Sequence, residues 1–144
     1  MSGQPDLPGG TGGPTAGAPP LKPGLTGLRR LYAAYLNSMA GLRDIWRSEE
    51  AFRIEVALLV LSVPAAFWIS DDPFRRAVLV CAVIFVMVVE VVNSAIEATI
   101  DRIGPERHEK SRLAKDLGSL AVLLAAVIAA ILWGAAAVDR LWPA

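Results

Sequence analysis

The chain reads as an all-α membrane protein, with an N-terminal amphipathic surface helix followed by three transmembrane helices. Three observations predict this. Apolar residues make up 54% of the 144 residues, a content that points to a small membrane protein of one domain. Three apolar stretches approach or reach the roughly 20 residues that a bilayer-crossing helix needs. Ahead of them lies a segment mixing basic and apolar residues at helical spacing.

The first 24 residues hold seven glycines and six prolines and no apolar run. They cannot bury enough surface to offset their ordering entropy and are expected to be a disordered tail. No apolar core follows a basic segment there, so the tail does not read as a secretory signal peptide. No chemistry is assigned to it. The domain proper covers 25–144.

Within the predicted surface helix, about 25–48, the residues Leu28, Leu31, Tyr32, Tyr35, Leu36, Met39, Leu42 and Trp46 recur among arginines. Such a helix lies in the membrane interface. The first span, about 52–70, carries one carboxylate, Glu55, near its start, and Pro64 as a candidate kink. The second, about 77–101, is acidic in its C-terminal half and ends at Gly104-Pro105, a strong helix stop. The third, about 117–138, is 22 residues without a charge. Cys81, the one cysteine, lies in an apolar stretch and reads as a packed free thiol; disulfides within one chain are excluded.

Basic residues set the orientation. Lys22, Arg29, Arg30, Arg43, Arg47 and Arg53 precede the first span, and Arg102, Arg107, Lys110, Arg112 and Lys115 separate the second from the third. The other two ends carry only Arg75, Arg76 and Arg140. The positive-inside rule therefore puts the N-terminus and the loop 102–116 in the cytoplasm. The net charge of zero provides no field for nucleic acid.

The segment EVVNSAIEATID, Glu90 to Asp101, continues the apolar run without a break. At about 100° per residue, Glu90, Asn93, Ser94, Glu97 and Asp101 share one face while Val91, Val92, Ile96 and Ile100 point elsewhere. Ionisable groups within a span are costly and mark function. Glu90 and Glu97, seven residues apart, are separated by about 10 Å along the axis. That separation lets one hold a metal while the other handles a proton. The stripe alone is compatible with a proton relay, a cation path or a metal site. The adjoining loop, 102–116, adds lysine and arginine donors and the only histidine, His108. Such donors suit a polyphosphate bound through magnesium. No Walker-type sequence or G-x-G-x-x-G is present.

The pattern E-x-x-N-S-A-I-E-A-x-x-D, followed by H-E and A-K-D-x-G-S between Glu90 and Ser119, resembles the signature of the prokaryotic diacylglycerol kinases. The similarity extends upstream through GLRDIWRSEEAFRIE, Gly41 to Glu55, and covers the chain from about Arg29 to Trp133. The resemblance implies a homotrimer with active sites between subunits, in the bacterial cytoplasmic membrane, using ATP and magnesium to phosphorylate diacylglycerol. It assigns Glu90 as the general base, Asn93 as the residue orienting both helix carboxylates, and Glu49 with Glu97 as the metal ligands. For ATP it implies Arg30, Glu49, Glu97, Glu106, Arg107, His108, Lys115 and Asp116. For the lipid it implies Arg30, Ser38, Arg43, Trp46, Ala51, Phe52, Arg53, Glu55, Trp68, Arg76, Glu90 and Ser119.

The chain departs from the family at Asn37, where relatives carry an aromatic residue, and at Arg107 and Lys110 in the loop. A related branch phosphorylates undecaprenol, and KDLGS, Lys115 to Ser119, resembles the diacylglycerol branch instead. A small proton- or cation-coupled transporter is the alternative of another class. The charged loop and the acidic cluster Glu49, Glu50 and Glu55 argue against it.

Overall fold

The computed structural model describes residues 27–142 except 105 and 107. Four helices follow one another: α1 (Leu28–Ser48), α2 (Glu50–Ile69), α3 (Pro73–Ile103) and α4 (Glu109–Leu141). The last three are long and apolar enough to cross a membrane. They outrun the apolar stretches that announce them, because polar flanks such as Glu109–Asp116 continue the helix. The predicted disordered tail and Arg107 lie outside the described residues. The chain divides into two compact units, Met1–Gly41 and Leu42–Ala144.

Helix α1 buries no residue along its length. Its large apolar residues from Leu28 to Trp46 are exposed except the half-buried Ile45, the pattern expected of a helix whose apolar side meets lipid. Within the second unit, α1 and α2 are separated by one extended residue, Glu49, whose side chain makes no capping bond. The Arg53 guanidinium donates to the carbonyl of Trp46 at 3.1 Å and ties the two helix ends across that joint.

Helix α2 continues through Pro64. Its buried residues, Phe52, Glu55, Ser62, Ala66 and Ile69, recur at helical spacing on one side. Helix α3 starts cleanly because Asp72 accepts from the amides of Phe74 and Arg75 and Pro73 occupies the first turn. It stops at Gly104, whose φ of 152° is open to glycine and strained for a side chain.

Helix α3 packs against both α2 and α4, whereas α2 and α4 barely meet. Ala66, Ile69, Leu79 and Ala136 form the buried cluster, with Val80 and Trp133 packed against it. Along α3 and α4 the partners descend in opposite order: Arg75 pairs with Asp139, Leu79 with Trp133, Asn93 with Gly118, and Asp101 with Lys115. The two helices are therefore antiparallel and fixed in register over their length. The Trp133 indole contributes directly, donating to the Leu79 carbonyl at 3.1 Å.

One expectation is corrected here. Cys81 is exposed, not packed. It falls on the side of α3 turned away from the buried Leu79 and Ala82, where an apolar thiol can meet lipid as readily as protein.

Replacing Trp133 by Phe keeps an aromatic ring, smaller than the indole, and removes the bond to Leu79. A loss of about 1 kcal/mol is expected from reversible unfolding in mixed detergent micelles. An unchanged unfolding curve would show that the indole N–H does not help hold α3 against α4.

Candidate active site

The acidic stripe of α3 faces inward. Glu90 and Asn93 are 6% and 8% exposed, whereas the neighbouring Val91 and Val92 are 45% and 54% exposed. Over this turn the polar side is buried and the apolar side is open, the reverse of a water-soluble helix, whereas Ile96 and Ile100, expected to point elsewhere, are half-buried. Further along α3, Ser94 and Glu97 are half-buried, and Asp101 is exposed where the helix leaves its apolar length.

Glu90 lies within electrostatic range of Glu49 and Glu97, and Glu55 within range of Glu90. Carboxylates from the α1–α2 joint, α2 and α3 thus share the electrostatic surroundings of Glu90. The expected metal ligands, Glu49 and Glu97, each lie within electrostatic range of the expected base, Glu90. Asn93 donates through Nδ2 to Glu97 Oε1 at 3.1 Å. It was expected to orient both helix carboxylates; the described bonds join it to Glu97 alone, one turn on. Two buried oxygens, Glu55 Oε2 and Asn93 Oδ1, have no hydrogen-bond partner among the described residues.

Beside the stripe, the C-terminal end of α3, the N-terminal end of α4 and the loop between them border a cavity of about 580 Å³ lined by Asp101, Gly104, Glu106, His108, Ser111, Arg112 and Lys115, among others. Glu106, His108 and Lys115 were expected at the nucleotide. Ser111 and Arg112 were not, although the helical spacing of Arg112 before Lys115 and Asp116 could have signalled them. Lys115 is paired with Asp101, and Arg112 with Asp116. Asp116 therefore meets a cation of its own helix and does not line the cavity. The His108 ring accepts from the Lys110 amide at 3.2 Å and caps α4.

The lipid-side candidates divide. Arg43, Trp46, Ala51, Phe52, Arg53 and Glu55 cluster along the α1–α2 joint and the first turns of α2, with Phe52 and Glu55 buried. From Glu55 an apolar groove of about 370 Å³ runs along Leu58, Ser62, Val83, Val86 and Trp133. Ser119 is exposed next to the buried Gly118. Trp68 and Arg76 are not brought to the acidic site. Arg76 is 14 residues before Glu90 on the same helix, about 21 Å along the axis. It is engaged locally, donating to the Ser70 carbonyl at 2.6 Å and stacking over Phe67 at 4.4 Å. Arg30 and Ser38 belong to the first unit, where Ser38 Oγ donates to the Ala34 carbonyl; their assignments rest on the resemblance alone.

Among the described residues no group of three His, Cys, Asp or Glu side chains could hold a metal ion. Magnesium does not require one. It is commonly bound by one or two carboxylates together with substrate phosphates. Glu49, uncapped, and Glu97, held by Asn93, fit that donor set.

These features define a small multi-span membrane protein with a buried carboxylate site next to a cavity of mixed charge. The prokaryotic diacylglycerol kinase family matches residues 36–137. The chain is 48% identical over 108 residues to the diacylglycerol kinase of Escherichia coli (strain K12), covering 75% of this chain and 88% of that protein. It is 41% identical over 110 residues to the diacylglycerol kinase of Pseudomonas aeruginosa, covering 76% and 89%. With the Haemophilus influenzae diacylglycerol kinase the identity is 39% over 109 residues, covering 76% and 92%. The chain belongs to the prokaryotic diacylglycerol kinase family.

His108 separates capping from nucleotide contact. His108→Asn retains a good cap and is expected to keep the hydrogen-exchange protection of the first α4 amides, whereas His108→Ala loses about 1 kcal/mol of it. Equal protection in both variants would remove the capping role.

Proposed function

We propose that this protein transfers the γ-phosphoryl group of ATP to the primary hydroxyl of diacylglycerol, forming phosphatidic acid at the cytoplasmic face of a bacterial inner membrane. The observation that carries this reading is the inward-turned Glu90–Asn93–Glu97 face of α3, with Glu49 in electrostatic range of Glu90 and a cavity lined by Arg112 and Lys115 further along the same helix pair. Phosphoryl transfer needs positioning and charge neutralisation more than covalent help from the protein. A carboxylate largely withdrawn from water, a cation cluster and an apolar groove for acyl chains supply those elements.

In this reading Glu90 accepts the hydroxyl proton as the lipid oxygen bonds to the γ-phosphorus. The bond from that phosphorus to the β–γ bridging oxygen breaks, and ADP leaves. Glu49 and Glu97 hold magnesium, which when bound neutralises phosphate charge. Asn93 keeps the Glu97 carboxylate in place. Lys115 exchanges Asp101 for phosphate oxygens, while Glu106, His108 and Arg112 border the nucleotide; Asp116 steadies Arg112. Phe52, Glu55 and the groove beyond them take the lipid, with Arg43, Trp46, Ala51, Arg53 and Ser119 at its borders. Trp68 and Arg76, a helix length away, serve the opposite interface. The N-terminus and the α3–α4 loop face the cytoplasm, in line with their arginine and lysine content. Assembly as a homotrimer with shared sites follows the resemblance.

The test is phosphate transfer from ATP to diacylglycerol in mixed micelles with magnesium. Glu90→Gln is expected to lower kcat by at least about 100-fold, while Glu97→Gln chiefly raises the magnesium and ATP concentrations required. Full activity in either variant removes that residue from its role. A strong preference for undecaprenol over diacylglycerol would overturn the substrate assignment.

A further inference from the structure

Asn93 is a short side chain caught between two constraints. Its amide nitrogen donates to Glu97 Oε1 at 3.1 Å. An ionised carboxylate can only accept, so this bond fixes which end of the amide faces Glu97. The amide oxygen is thereby turned toward α4, where it is buried with no hydrogen-bond partner. It lies against Gly118, which is itself buried. A Cβ at Gly118 would stand 2.1 Å from Asn93 Oδ1 and 3.2 Å from its Cγ. No atom fits at the first of those distances. Gly118 has no positive φ, so the backbone does not require glycine there. Space for the Asn93 amide is what requires it.

We infer that Gly118 is a positioning residue for the metal-holding carboxylate: its missing side chain is what allows Asn93 to keep the orientation that holds Glu97. The inference rests on the proposed metal role of Glu97. The clashing atom is the end of a side chain with two rotatable bonds, so Gly118→Ala can be accommodated by swinging the Asn93 amide aside. That movement breaks the bond to Glu97. The main effect therefore falls on the metal site and less on the fold. Partners that orient a metal ligand typically contribute about 10- to 100-fold to metal affinity.

The experiment compares Gly118→Ala, Asn93→Ala, the double variant and Glu97→Gln in the full-length protein in detergent micelles. It reads Mn2+ binding by electron paramagnetic resonance in the presence of a non-hydrolysable ATP analogue, together with the magnesium dependence of turnover. Gly118→Ala is expected to weaken Mn2+ binding about 10-fold or more, with kcat at saturating magnesium reduced less. In the Asn93→Ala background, where the clashing amide is gone, the same substitution is expected to have no further effect. An equal effect in both backgrounds, or no effect in either, overturns the inference.

If Gly118→Ala does not fold, the double variant is expected to fold, because its clash has been removed. Failure of both assigns Gly118 to helix packing alone and also overturns the inference. Unchanged Mn2+ binding in Glu97→Gln would refute the metal role on which the inference rests. A loss in Glu97→Gln beside normal binding in Gly118→Ala would refute only the positioning role.

Discussion

Placing carboxylates in the middle of an apolar helix is the constraint on which the rest of this structure depends. Glu90 is buried in a helix long enough to cross a membrane, and a charged group there is unfavourable unless protein or polar ligands surround it. The chain meets the constraint by making α3 the central helix, packed on one side by α2 and on the other by α4. Val91 and Val92 are left exposed while Glu90 and Asn93 turn inward. The same burial that makes the stripe costly makes it useful, since electrostatic interactions strengthen where water is excluded.

The positions of the functional groups follow from how few degrees of freedom the helices retain. One extended residue joins α1 to α2, and that residue is Glu49, so the turn itself delivers a carboxylate toward α3. The antiparallel match of α3 with α4 holds from Arg75 and Asp139 at one end to Asp101 and Lys115 at the other. Between these exposed pairs, the Trp133 indole and the Gly118 contact set the register where screening is weakest. A slip of one residue would move Asn93 off Gly118 and Lys115 away from the cavity.

Much of this was legible in the sequence, because membrane helices declare themselves by apolar length and because a polar stripe at helical spacing has one natural place to face. The three spans, the stop at Gly104 and the inward face of Glu90, Asn93 and Glu97 needed only periodicity and hydropathy. Other features depend on contacts between residues far apart in sequence. Nothing in the local sequence places Gly118 against Asn93 or Trp133 against the Leu79 carbonyl. Asn93 was expected to serve two carboxylates and bonds one: its amide nitrogen donates to Glu97, and its oxygen is turned to the space over Gly118 without a partner. Cys81 was read as packed from its apolar surroundings, a reading that holds in a soluble core and loses force where the outside is also apolar. The division of labour among the carboxylates came from the family resemblance, since spacing alone permits several.

The central claim is that Glu97 is a metal ligand and Glu90 a base, although both are carboxylates of one buried stripe. The most direct test substitutes each by cysteine in a Cys81→Ala background and compares magnesium with cadmium, a softer ion that thiolates favour. The account predicts that Glu97→Cys is inactive with magnesium and regains lipid phosphorylation with cadmium, while Glu90→Cys is recovered by neither. Recovery of Glu90→Cys by cadmium, or its absence in Glu97→Cys, would contradict it.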